Sequence, residues 1–337
     1  MKFIFVKIMV ISLIVVLTIK CQNDKQFLYV SSLSLLYIED IDGKDGLGMG
    51  DFGDIVLYDL ADSVQYNITE DSYLNEYPSY SRLNNSIYFG SLRANQTITG
   101  ISSEMNIFYK NLSSNKFIQV DNKDFYSKRK FSGLNHSYKP LICNNGKLLA
   151  FETMSIESSE DLIGVYNIVH DSLVAAIGRI RIIYSMTWDS RDTRIVFTSS
   201  YNFSNSPDNN YIGLFDIEAK TYVELLSRDY EWLLASDILG DSLLLIKKDL
   251  KTQKHYFEIV DMLSKETKYI IEISSIGFEE VKTPKFITEN EIVFIGVNGI
   301  YDEYPQNDIY KLNIKTNRVE RITNNGYIKD HLSVIQP

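Results

Sequence analysis

The closest grouping of carboxylates around glycine is Asp40-Ile41-Asp42-Gly43-Lys44-Asp45-Gly46, followed by Gly48, Gly50 and Asp51. Acidic side chains two and three positions apart on a glycine-bent loop can converge on a hard cation such as Ca2+, which takes about 6–8 oxygens at about 2.3–2.6 Å. Asp40, Asp42, Asp45 and Asp51 are therefore candidate calcium ligands, and no other cofactor is indicated. The register is not that of an EF-hand, because Lys44 stands at the fifth position and Asp51 at the twelfth, where a bidentate Glu belongs. A solvated acidic loop without metal is the other reading of the same residues.

Other chemistry finds less support. His136, His170, His255 and His331 fall in separate segments without His-x-x-x-His or Glu-x-x-His spacing, so they read as ordinary surface or turn residues. A Gly-x-Ser-x-Gly elbow is absent, as is a phosphate-cradling glycine loop. Cys143, within the apolar run Leu141-Ile142-Cys143, reads as a small buried hydrophobe.

The amino terminus reads as a leader. Lys2 and Lys7 precede an apolar run from Ile8 to Ile19, too short for an ordinary membrane span, which ends at Lys20 and Cys21. Residues 1–20 thus form a signal peptide, and Cys21 is the candidate lipidation site opening a linker over residues 21–26. Lys20 and Thr18 stand where such signals usually carry a small residue and Leu, so a cleaved soluble chain and an uncleaved anchor remain as alternatives. All three place residues 27–337 outside the cytoplasm, and the lipoprotein reading places them in the cell envelope of a bacterium, periplasmic or at the outer membrane, held to the membrane by the lipid.

The remaining elements must be mostly strands. The chain of 337 residues holds 23 Tyr and 17 Phe, and it is rich in Ile, Val, Ser, Thr and Asn. A net charge of −10, from 34 basic against 44 acidic residues, argues against a nucleic-acid partner.

A repeat organises these strands. LYDLADSVQYNIT, YKNLSSNKFIQV, VYNIVHDSLVAAI, LFDIEAKTYVELL, IVDMLSKETKYII and KLNIKTNRVERIT each place an Asp or Asn between two β-runs. These residues, Asp59, Asn111, Asn167, Asp216, Asp261 and Asn313, are 52, 56, 49, 45 and 52 apart. Their side chains can bond amides two residues on and close a turn, so their expected role is structural. Upstream of each hairpin, from the second copy onward, a further pair of runs recurs, as in YPSYSRLNNSIYFGS from Tyr77 and YKPLICNNGKLLAFE from Tyr138. Four antiparallel strands per unit, in six units, predict an all-β six-bladed β-propeller over residues 27–337. Tyr327–Pro337 is expected to close the ring beside Leu33–Ile38, although Phe27–Val30 is an alternative inner strand for the first blade.

The step Pro78-Ser79-Tyr80-Ser81, then a turn, an apolar strand and a hairpin leading to Asn67-Ile68-Thr69-like endings, resembles the repeat of TolB-type, WD40-like propellers. The resemblance implies the fold and leaves function open, since such repeats frame periplasmic scaffolds, peptidase side domains and sugar-acting enzymes. The first turn departs from the usual Pro-Asp-Gly, and the unit from Trp232 reads Ser236-Asp237 in place of the proline step.

Function is expected at one rim. The second-to-third strand connections, 39–54, 90–105, 152–162, 198–211, 247–255 and 296–308, carry charges of −5, 0, −4, −1, +3 and −3. The expectation is a non-enzymatic, envelope-anchored binding or scaffold propeller engaging a protein or glycan through this acidic face. The alternatives are a carbohydrate-active enzyme resembling oligogalacturonate lyases and a sensor or peptidase-associated module.

Overall fold

The computed structural model describes residues 28, 30–40, 53–70, 73–93, 96–97, 100–101, 105–114, 116–120, 134–155, 161–180, 182–200, 210–301, 304–325 and 327–336. These residues form six four-stranded antiparallel sheets, and the longest helical element among them is a 3-10 turn at Ile273–Ile276. The first blade holds β1 (Ser34–Asp40), β2 (Asp54–Asp59) and β3 (Val64–Asn67). The second holds β4 (Asn75–Ser81), β5 (Ser86–Ser91), β8 (Asn106–Asn111) and β9 (Lys116–Gln119), with a small hairpin of β6 (Gln96–Thr97) and β7 (Gly100–Ile101) between its middle strands. The third comprises β10 (Leu134–Ile142), β11 (Leu148–Ser155), β12 (Asp161–Asn167) and β13 (Ser172–Ile180), and the fourth β14 (Ile183–Trp188), β15 (Arg194–Ser200), β16 (Asn210–Asp216) and β17 (Thr221–Leu226). The fifth comprises β18 (Glu231–Leu239), β19 (Ser242–Asp249), β20 (His255–Asp261) and β21 (Thr267–Glu272). The sixth comprises β22 (Glu280–Thr288), β23 (Glu291–Tyr301), β24 (Tyr304–Asn313) and β25 (Arg318–Arg321).

Sequence pattern follows position in the blade. The second strand is covered on both faces by neighbouring blades, so β15 and β19 read as nearly continuous apolar runs, Ile195-Val196-Phe197 and Leu243-Leu244-Leu245-Ile246, all buried. The outermost strands β3, β9, β17 and β21 are mostly exposed. In blades three and four an aromatic ring lies over a glycine of the next strand, Phe151 opposite Gly164 and Phe197 opposite Gly213. A Cβ on Gly164 would stand 2.4 Å from the Phe151 ring, and one on Gly213 would stand 2.2 Å from the Phe197 ring.

Each outer hairpin contains its Asp or Asn. The side-chain Oδ1 accepts amide hydrogens of Ala61 and Asp62 at Asp59, of Ser113 and Ser114 at Asn111, and of Val169 and His170 at Asn167. It accepts the amide of Ala219 at Asp216, of Leu263 and Ser264 at Asp261, and of Thr316 at Asn313.

The ring is closed by the end of the chain. β26 (Ile328–Ile335) pairs antiparallel with β1, Leu35 opposite Val334, and supplies the innermost strand of the first blade. Leu28 and Val30 lie outside any strand and pack with Leu36, Ile38 and Ile335, which settles which end provides that strand. The closure contains a fully buried Lys329, whose Nζ lies 3.6 Å from Glu39 Oε1 and 3.5 Å from Asp308 Oδ1.

Removing residues 327–337 exposes the β1 edge and the apolar contacts of Leu332 and Ile335. The truncated chain is expected to aggregate and to lose its cooperative thermal transition in calorimetry, whereas a full-length melting temperature would show that β26 is dispensable.

Candidate functional site

The innermost strands of all six blades carry a register irregularity where they face the axis. In blades one, two, three and six, two inner-strand residues stand opposite one residue of the second strand: His331-Leu332, Tyr77-Pro78, Lys139-Pro140 and Thr283-Pro284 opposite Tyr37, Phe89, Phe151 and Phe294. The first residue of each pair is left-handed, with φ of 51, 52, 52 and 42°. That conformation costs on the order of 1–3 kcal/mol for a side-chain-bearing residue, and most for β-branched Thr283. A bulge re-aims side chains, and all four of these residues line a cavity of ≈ 420 Å³ on the axis.

The walls of the cavity are of two kinds. Tyr184, Met186, Trp232, Leu234, Ile246 and Val281, from blades four to six, form an apolar side. The Tyr184 and Trp232 rings meet edge to face at 6.5 Å. The polar groups come chiefly from blades one, two, three and six. The His331 ring meets the Tyr77 ring at a tilt of 45° with centroids 4.0 Å apart, and Lys282 Nζ pairs with Asp330 Oδ2 at 3.4 Å. Lys139 Nζ stands 2.7 Å from Glu152 Oε2, donates to the carbonyl of Ile183 at 2.6 Å, and lies 5.7 Å from the Tyr77 ring centre.

Burial tunes these groups. The Glu152 carboxyl is pushed up to about 7 by burial, against the pull of Lys139, with the neighbouring Asp161 adding to the rise. Asp161 is itself raised by burial, while its Oδ2 accepts the Ile183 amide. Tyr77 and Tyr138 are raised far above the ordinary phenol range by burial and nearby carboxylates, so both remain neutral donors. His331 is lowered by burial and by the ammoniums of Lys282 and Lys139, against Asp330, and is neutral at neutral pH. The Cys143 thiol is raised by burial, which makes it a poor nucleophile.

The residues singled out in the sequence lie elsewhere. Cys21, Asp42, Asp45 and Asp51 fall outside the described residues, and Asp40 ends β1 opposite Ile328. Among the described residues no group of three His, Cys, Asp or Glu could hold a metal. Several charges counted at the rim are inside the blades: Glu39, Glu152, Asp161 and Asp308 are buried, facing Lys329, Lys139 or Arg321. His331 is not the ordinary surface or turn residue expected, because β26 turns it toward the axis. A sequence signal for three of the axial positions was present: Tyr77, Lys139 and Thr283 each precede a proline at the same point of their unit.

Comparison with solved structures places the fold. A TolB-type protein from Agrobacterium tumefaciens superposes with a TM-score of 0.58 at 11% identity, over 88% of this chain and 91% of that one. Hydrazine synthase from Kuenenia stuttgartiensis gives 0.61 at 10%, over 90% of this chain and 46% of that one. The β-propeller domain of the Trilobed protease from Pyrococcus furiosus gives 0.51 at 12%, over 80% and 74%. The chain therefore has the TolB-like propeller fold. No protein family and no curated relative matches the sequence.

Because the Glu152 carboxyl titrates from 4.5 unfolded to about 7 folded, the native state holds an extra proton between those values. Its contribution is fully present below about pH 4.5 and is lost as the pH rises through about 7, on the order of 3 kcal/mol in all. Glu152→Gln is expected to flatten the fall in denaturant-measured stability across this window, and an unchanged slope would refute the assignment.

Proposed function

We propose that this chain is a non-enzymatic binding or scaffold propeller, anchored in the cell envelope, that engages a protein or glycan partner through its acidic loop face. The observation that carries the reading is topological. The described ends of the second and third strands that flank the six connections lie at one rim of the ring. With Glu39, Glu152, Asp161 and Asp308 neutralised inside the blades, the acidic character of that face rests on Asp42, Asp45, Asp51, Glu157, Glu160, Asp302 and Glu303. A cationic partner, or one bridged by calcium at Asp40, Asp42, Asp45 and Asp51, fits this composition.

The test is capture from detergent-solubilised envelope by the wild type and by an Asp42→Lys, Asp45→Lys, Asp51→Lys variant, at low and high salt, with calcium or chelator. A partner retained by the wild type and lost with charge reversal and with salt supports the reading. Equal capture by both chains overturns the acidic-face assignment, and a chelator effect restricted to the wild type identifies the calcium bridge.

Anchoring has its own readout. Cys21→Ser is expected to move the chain from the membrane fraction to the soluble fraction or to leave the precursor uncleaved. Unchanged mass and partition would remove the lipid anchor.

A further inference from the structure

The axial cavity is separate from the loop face and has chemistry of its own. Blade cores bury their apolar side chains almost completely, yet Tyr184, Met186, Trp232 and Leu234 keep partial exposure where they line a space of ≈ 420 Å³. A concave, mostly apolar space of this size with a few convergent polar groups is the usual form of a small-molecule site. The ammoniums of Lys139, which reaches the Ile183 carbonyl beside Tyr184, and of Lys282, beside Val281, border that wall on its two sides, and both oppose protonation of His331, whose ring meets that of Tyr77.

The charges around these two rings do not cancel firmly. The partner of Lys282 is Asp330, and their side chains are 34% and 40% exposed, a pair of the weakly held surface kind that a ligand can open. Lys139 faces Glu152, whose carboxyl is only partly ionised near neutral pH. Glu280, the other carboxylate lining the cavity, is exposed and lies two residues from Lys282 on β22. An otherwise acidic chain thus presents three lysines at its axis, of which Lys285 donates to the Ser236 carbonyl while Lys139 and Lys282 lie beside the Tyr77 and His331 rings.

We propose that the axial cavity binds a small aromatic carboxylate, with the ring against Tyr184 and Trp232 and the carboxylate between Lys139 and Lys282. Edge-to-face contact suits the ring, and ammonium groups bordering the aromatic wall suit a single anionic group at the ring's far end.

The chain has two tryptophans, and Trp188 is buried with its Nε1 bonded to the carbonyl of Leu141, so Trp232 is the one that reports on the cavity. The full chain is titrated with phenylacetate, phenylacetamide and glucuronate, following tryptophan fluorescence. Phenylacetate is expected to give a saturable change, with phenylacetamide and glucuronate weaker by roughly ten- to a hundredfold, the worth of one charge-assisted contact. Lys282→Met should erase the preference for acid over amide, and Trp232→Phe should remove the signal. The ligand series tests the charge requirement without any substitution, so it remains decisive if a variant fails to fold. Equal affinity for acid and amide, absence of saturation, or a signal that survives Trp232→Phe would each overturn the proposal. Charge reversal at Asp42, Asp45 and Asp51 leaves this titration untouched, so the two readings fail separately.

Discussion

The innermost strand of each blade pairs with the second strand on one side and with no strand on the other. Its free edge must satisfy backbone groups packed against the neighbouring blade, where an unmet buried amide is costly. The satisfaction comes from adjacent blades. Ser79 Oγ accepts the Ile142 amide and Asp237 Oδ2 accepts the Phe286 amide, at the same offset in their units. Thr198 Oγ1 accepts the amide of Ala235, and Thr283 Oγ1 that of Leu332. In the other direction Ser333 Oγ donates to the carbonyl of Pro78 and Ser236 Oγ to that of Pro284. The irregular register of every inner strand is what turns these groups across the gap. The left-handed residues at the axis follow from the same requirement, and the cavity is the space that the bulges leave between them.

The ring imposes a second electrostatic condition at its seam. Lys329 lies between Glu39 of β1 and Asp308 of β24, and it donates to Asn325 Oδ1 at 2.6 Å and to the carbonyls of Asn307 and Tyr327. A buried ammonium without such partners would cost several kcal/mol, so the seam is stable only when the first and sixth blades supply their carboxylates together. Two of those partners come from the opposite ends of the chain. Closure is thus among the least local contacts in the molecule, and topology of this kind folds slowly.

The fold was legible in the sequence because its signals are local. Each outer hairpin declares itself through one Asp or Asn between β-runs, and six such declarations at a period near fifty fix the number of blades. The axial site was harder to see for a matching reason. It takes a few scattered residues from each unit, and Tyr77, Lys139, Thr283 and His331 come to line one space only when the ring closes. Three of them precede proline, a step readable as a repeat marker but not as a pointer to the axis, and His331 precedes Leu332 instead. The charge of the rim was overcounted because Glu39, Glu152, Asp161 and Asp308 lie within strands that run further toward the rim than the sequence shows, so buried blade residues were counted as loop.

The rings seated over glycines in blades three and four have a bearing on how such a chain can change. Phe197 fills the space that Gly213 leaves, and Phe151 that of Gly164. Enlarging the glycine drives an atom into the ring, while shrinking the ring opens a void in a close-packed layer. Each pair therefore behaves as a single unit divided between two strands. A drifting sequence can leave that arrangement only by altering both positions together, so the blades diverge freely at their outer strands while these two layers are held against stepwise substitution.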